Sequence, residues 1–496
     1  LRGMDESINP CDDFYQFAAG GWLGDHSIPA DAGLFGAGQF VAANNAKIIE
    51  GLLQDKKAVK KQPDEWDQKS ITMLKGWYEG CTNSESQNRL GNEPLMEVLQ
   101  EIKDHFSKEE DEKHLLFTEQ RNPIPPNMPP GRSPRPHRPS DSPVPLPPAP
   151  GGRSSRQARL TRALAWQHSR GLPALFEFGV DGDAGKDPNL GTPTFYANGL
   201  GFPDKEYYED EKELDFYKET VKQAFLAVRA ELKKAEKDEE KEADEDWEGY
   251  YADDAEASRK KKHKKGAKFP SKSTFISMAH AVVEFEQALA DITPDGGNSD
   301  PITTYNPSNM TMLSYDLRSI DWPTYFSALT VRPPKTVIIS EPTYVRRLDS
   351  LISRTRDEVL EAYFFWTAIR TLGLNLGPSA TLRKPADRLD RRSKGVEEDA
   401  EEDRSTTCLS SLNEALGFMA GRFFVREAFS PEAKSKAEGI IGGIIDAFKT
   451  RLPELDWLDV KTRNYAEEKA DAVRIKVGYP ESYPVTTASK GIYEFY

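Results

Sequence analysis

The sequence has 496 residues, with 66 Lys+Arg against 81 Asp+Glu and a formal charge of −15, an acidic balance that argues against a dedicated nucleic-acid binder. At roughly 150 residues per domain the length corresponds to about three domain-sized units, with ample chain for a real core. Hydrophobic residues make up 37% and charged residues 30%, so solvated insertions must dilute an ordinary globular composition.

Residues 1–120 read as loop followed by helices. Phe40, Ile48, Ile49, Leu52 and Leu53 recur at helical spacing, as do Ile71, Leu74, Trp77 and Tyr78, which predicts two amphipathic helices against a core. Asp67, just before the second run, is expected to cap it by accepting its first free backbone N–H groups. From Arg121 to Arg159 the texture changes, because 13 of the 35 prolines fall between Pro123 and Pro150, mixed with Arg and Ser. Such a segment buries too little surface to offset its ordering entropy, so 121–159 is expected to be a disordered insertion. Its Pro-Pro-Asn-Met-Pro-Pro and Pro-Val-Pro-Leu-Pro-Pro runs also fit a polyproline II ligand for an SH3-like domain. An unstructured insertion, or translated non-coding sequence, accounts better for its contrast with helical flanks.

A helix from Leu160, closed by Gly171 ahead of Pro173 and followed by a strand into Val180, comes next. Residues 210–232 read as helix, and 233–268 as a charged low-complexity insertion that is acidic first and ends with the basic run Lys260–Lys265. A basic hexamer fits a nuclear-localisation or nucleic-acid patch, but the acidic block beside it neutralises it and favours a solvated loop. Beyond Pro270 the pattern is helical. Phe275, Met278, Ala279, Val282, Phe285 and Leu289 line one helix, and Val359, Tyr363, Trp366, Ile369 and Leu372 a second. Ile440, Ile441, Ile444, Ile445, Phe448 and Leu452 line a third, with 384–403 read as a charged, solvated loop before it. With no internal repeat and no sustained alternation, the expected fold class is mainly α.

No window reaches the ~18 consecutive apolar residues of a membrane-spanning helix, and no basic-then-apolar signal pattern opens the chain. It begins at Leu1 rather than at a methionine, which leaves room for a leader, an anchor or a longer N-terminus, and localisation is not legible in what remains. None of the seven histidines lies four residues from another, so no HExxH helix is present to hold zinc. The pairs His105/Glu109 and His280/Glu284 have partial-site spacing, for which surface or core helix contacts are the more economical reading. Gly-Leu-Phe-Gly-Ala-Gly at 33–38 lacks the strand and the Lys-Ser/Thr of a phosphate loop, and no Gly-x-Ser-x-Gly elbow occurs. Catalytic and metal residues are therefore expected to be none. Asn309-Met310-Thr311 is the single Asn-x-Thr triplet and makes Asn309 a candidate glycosylation acceptor.

The segment Met4 to Trp22, with Cys11, Asp12, Asp13, Phe14, Tyr15, Gly20, Gly21 and Trp22, resembles the N-terminal signature of the neprilysin and endothelin-converting-enzyme family of zinc metallopeptidases. The resemblance continues in order through Tyr78-Glu79-Gly80-Cys81, Gly199 to Tyr208, Phe285 to Ala290, Thr304-Tyr305-Asn306, Leu455 to Asp459 and Val477-Gly478-Tyr479-Pro480. In loop lengths it is similar to fungal-type members. It implies that 1–480 is the large multi-helix capping region of a two-lobed gluzincin peptidase, which encloses a chamber for peptide substrates, with 481–496 opening the link to a catalytic domain. In the family the HExxH and ExxxD helices lie beyond the point matching Tyr479-Pro480. The expectation is thus a truncated chain that binds no zinc itself, while the full-length family enzyme uses zinc to activate water for peptide hydrolysis.

The family pairs the cysteines matching Cys81 and Cys408, whereas the one matching Cys11 bridges to the catalytic domain, which would leave Cys11 unpaired here. The alternative is three buried cysteines in a reducing compartment. Ala19 stands where a second bridging cysteine is usual, Ser405 where a tryptophan is usual, and Leu34 where animal members carry a carboxylate-binding arginine. The resemblance implies an extracellular or membrane-anchored setting and a catalytic domain as intramolecular partner, with apolar surface exposed where that domain should sit. A non-catalytic helical peptide-binding or interaction protein of the same descent is the alternative. Coding sequence that continues past Tyr496 into HExxH would discriminate between them.

Overall fold

A computed structural model describes residues 3–106, 155–245, 271–295 and 300–479, and these are predominantly helical. The chain divides into two units, Leu1–Gln87 with Lys394–Tyr496, and Asn88–Ser393.

The first unit is helical, and its core joins helices far apart in sequence. The two predicted amphipathic runs form the helices Ala37–Gln54 and Glu65–Thr82. Leu53, Ile71, Leu74 and Tyr78 are buried with Cys408, Leu412, Met419 and Phe423 of the helix Arg404–Ala428. That long helix breaks its φ/ψ at Leu416, beside Gly417. The cap of Glu65–Thr82 is Asp64, not Asp67: the Asp64 carboxylate accepts from the Trp66 and Asp67 amides, both at 2.9 Å. Asp67 is one step too deep for capping, and its side chain is fully buried.

In the second unit the helix Ser155–His168 starts inside the stretch expected to be disordered to residue 159. Its opening turn is fixed by Arg156 and Arg159, which reach Asp357 at 2.6 and 2.9 Å. The rest of that stretch, to residue 154, lies outside the described residues. Gly171 ends the helix as expected, at φ +68, with the Leu172 amide returning to the Gln167 carbonyl at 3.0 Å. The predicted strand is β1 (Phe176–Gly182), antiparallel to β2 (Gly191–Ala197) with Phe176 opposite Ala197. A short β3 (Pro307–Ser308) and β4 (Val337–Ile339) complete a sheet of order β1-β2-β4-β3, in which β4 runs parallel to β2 and antiparallel to β3. The sheet is small because only β1 and β2 have a hairpin's length.

Helices surround this sheet. Glu211–Glu245 continues past residue 232 into the segment read as the insertion 233–268, whose remainder from 246 lies outside the described residues. Asp357–Leu372 is apolar on nearly all sides and is buried accordingly, with Tyr363, Phe364, Trp366 and Ile369 inaccessible. The stretch 384–403 is not a solvated loop throughout. Arg383–Lys394 is a helix that buries Pro385, Ala386 and Leu389, and the buried Arg383 guanidinium donates to the Leu376 carbonyl at 2.9 Å. Paired arginines let a highly charged segment pack, because their stems cover apolar surface while their heads find acceptors.

Candidate functional sites

Three arrangements stand out, two in the first unit and one in the second. The first is a pair of fasteners between Glu65–Thr82 and Arg404–Ala428. Cys81 and Cys408 are joined at 2.04 Å, across a sequence separation of 327. Fourteen residues away along each helix, Asp67 accepts from Arg422 Nε at 2.8 Å and from Arg426 at 2.6 Å. Beside the disulfide, Ser405 forms a polar knot, its hydroxyl meeting Glu50 at 2.5 Å and the Tyr78 hydroxyl at 2.9 Å. Cys11 is free and exposed, its amide held by Asn9.

The second is an open apolar face. Along the helix Pro431–Arg451, Ile440, Ile444 and Phe448 are 66%, 64% and 50% exposed, while only Leu452 at the end of the run is buried. Phe418, Trp457 and Leu34 are exposed in the same unit. The signature residues also sit in this unit. Asp13 caps the helix Phe14–Asp25 by accepting from the Gln16 amide at 2.9 Å, so that Phe14 and Tyr15 project into solvent. Asp12 accepts from Asn9 at 3.0 Å. Gly20 is buried, and an added Cβ there would lie 2.6 Å from Gln16 Nε2 and 2.8 Å from Asp5 Cβ, while Gly21 is half-buried and Trp22 stacks on His26 at 4.5 Å. The Tyr479 carbonyl accepts from Lys434 Nζ at 2.8 Å, and Pro480 lies outside the described residues.

The third is a buried carboxylate. Glu286, on the helix Lys272–Ala290, is inaccessible. Its Oε2 accepts from Tyr217 at 2.5 Å and from Tyr208 at 2.9 Å, and Tyr217 in turn accepts from Trp366 Nε1 at 2.6 Å. Its Oε1 has no hydrogen-bond partner among the described residues. Burial pushes the Glu286 carboxyl up to about 7, against the opposing pull of the Arg370 charge and the two tyrosine bonds. This centre explains the Gly199 to Tyr208 motif. A Cβ on Gly201 would strike the Tyr217 hydroxyl, Gly199 adopts φ +115, and the Tyr208 hydroxyl accepts from the Gly201 amide at 2.9 Å.

The model of peptidase family M13 matches residues 10–480. The chain belongs to peptidase family M13. It is 24% identical to endothelin-converting enzyme 1 of Mus musculus over 505 residues, covering 97% of this chain and 52% of that protein. An endothelin-converting enzyme homolog of Locusta migratoria gives 24% over 500 residues, with 97% and 56% covered. The inhibitor-bound zinc metalloprotease of Mycobacterium tuberculosis has the same fold at a TM-score of 0.69 and 20% identity, over 95% of this chain and 57% of that one. PepO of Lactobacillus rhamnosis gives 0.68 at 15% identity, with 96% and 61% covered. The chain thus spans about half the length of the endothelin-converting enzymes that it matches.

The M13 relatives bring zinc into question, and the described residues do not fit it. Among the described residues no three His, Cys, Asp or Glu side chains are grouped to hold a metal ion. His280 and Glu284 are both exposed on one helix without a third donor, and Glu109 lies outside the described residues. Nor is any described helix long and apolar enough to cross a membrane. Sequence reasoning missed Glu286 and the Asp67 pair. Glu286 carried a signal, since it interrupts the stripe of Val282 and Leu289 at helical spacing, where a carboxylate needs buried partners.

Proposed function

We propose that these residues form the substrate-chamber region of an M13 zinc endopeptidase acting on peptides, and that the zinc-binding and hydrolytic groups belong to a domain outside this sequence. The observation that carries the reading is the open face along Pro431–Arg451. An apolar strip of this exposure, repeated at helical spacing, calls for a covering partner. That partner is the catalytic domain, joined to the same unit beyond Tyr496. The match to about half of each relative and the zinc metalloprotease title of a structural neighbour support this assignment.

The reading has a direct test. The 496-residue chain, purified and assayed for metal content and for cleavage of short peptides, is expected to hold no stoichiometric zinc and to leave the peptides intact. One tightly held zinc per chain, together with chelator-sensitive cleavage, would overturn it.

A further inference from the structure

We infer that Asn309 is an N-glycosylation site, occupied when the chain folds in an oxidising secretory compartment. Two neighbouring asparagines make the case by contrast. Asn306-Pro307-Ser308 has the outer residues of an acceptor triplet, but its central proline excludes it. Its side-chain nitrogen is also engaged, donating to the Thr303 carbonyl at 2.8 Å and the Ile339 carbonyl at 3.0 Å. Three residues on, Asn309 faces solvent at the start of the helix Met310–Asp316. Only its oxygen is used, accepting from the Met312 amide at 3.0 Å, and its Nδ2 has no hydrogen-bond partner among the described residues.

The division of labour matters chemically. Glycosylation forms a bond from Nδ2 to the anomeric carbon of an oligosaccharide carried on a lipid pyrophosphate. The anomeric carbon–oxygen bond breaks, the pyrophosphate leaves with the electron pair, and one amide proton passes to the transferase. Oδ1 remains an acceptor throughout, so the helix cap survives the modification. Space is available as well. Thr311 is exposed, and Met312 and Tyr315, at three-residue steps along the same helix, are 50% and 63% exposed.

The Cys81–Cys408 disulfide supplies the independent argument for compartment, since bonds of this kind persist where the environment is oxidising, as it is where oligosaccharides are transferred. The test is mass spectrometry of the full chain recovered from a eukaryotic secretory host. The peptide containing Asn309 is expected to carry a glycan mass that an amide-cleaving glycosidase removes. Asn309→Asp, which keeps the cap, and Thr311→Ala should each abolish that mass, whereas Thr311→Ser should retain it. An unmodified Asn309 in chains that hold the intact disulfide would overturn the inference.

Discussion

The two units of this chain solve the same packing problem with different means. In Asn88–Ser393 the largest fully buried side chains are aromatic, led by Trp322, Trp366, Tyr217, Tyr325, Tyr344 and Tyr363; Tyr217 donates to Glu286 and Tyr363 to the Gly199 carbonyl, whereas Trp322 Nε1 has no partner among the described residues. In the unit formed by Leu1–Gln87 and Lys394–Tyr496 the fully buried apolar side chains are aliphatic, such as Leu53, Ile71, Leu74 and Leu412, and Trp457, Phe418 and Phe448 are left in solvent. Both units hold an ion triad, Asp67 with Arg422 and Arg426 in this one and Asp357 with Arg156 and Arg159 in the other, but only this one adds a disulfide, where the other adds aromatic burial. A unit whose core is modest for its apolar content depends more on cross-links, and on whatever covers its open face.

The largest expected effect comes from cutting the ionic fastener. Asp67→Ala removes the buried counter-charge of two guanidinium groups and should cost about 3 kcal/mol or more. Hydrogen exchange is the measurement. Faster exchange is expected in Glu65–Thr82 and Arg404–Ala428, with Asp357–Leu372 unchanged; equal acceleration in both units would erase the distinction between them.

A second perturbation addresses the aromatic unit alone. The Glu286 carboxyl titrates at about 7 folded against 4.5 unfolded, so its contribution to stability is fully present below pH 4.5 and is lost as pH rises through 7, by about 3 kcal/mol. His168 works in the opposite sense. Burial lowers it to about 4 from 6.5, so its contribution is present above pH 6.5 and is lost as pH falls through 4. Glu361, which burial also raises to about 7, adds to the Glu286 trend. Glu286→Gln should therefore gain stability relative to the parent as pH rises from 4.5 to 7.5, measured by denaturant titration. A pH-independent difference would place the carboxylate outside this linkage.

The smallest effect on stability should come from the open face. Ile444→Ser with Phe448→Ser is expected to change unfolding by less than about 0.5 kcal/mol, yet to reduce binding of a hydrophobic fluorescent dye. A large loss of stability would mean that the strip is already packed.

The helical periodicities were legible because apolar faces recur locally, and so was the stop at Gly171, because a left-handed residue needs glycine. Family membership was legible in the run from Asp12 to Trp22. What escaped is non-local or counter-intuitive in charge. Asp67 reads as a cap because its partners, Arg422 and Arg426, lie some 355 residues away. The helix Arg383–Lys394 reads as solvated loop because composition does not reveal that Arg383 is buried against carbonyls. The open face of Pro431–Arg451 has the same periodicity as a packed one, so sequence shows the stripe but not whether anything covers it.

The disulfide and Asp67 stand fourteen residues apart on Glu65–Thr82, about 20 Å at the helical rise, and on the other helix Arg422 and Arg426 follow Cys408 by fourteen and eighteen residues, past the break at Leu416. A single bolt between two rods leaves a pivot, whereas two bolts fix the crossing angle and the slide. Losing either one would let the long helix swing about the survivor, with the arc growing toward the freed end. If the triad fails, that end is Ala428, just ahead of Pro431, so the open apolar helix would be displaced first and its alignment with any partner spoiled before the core had opened.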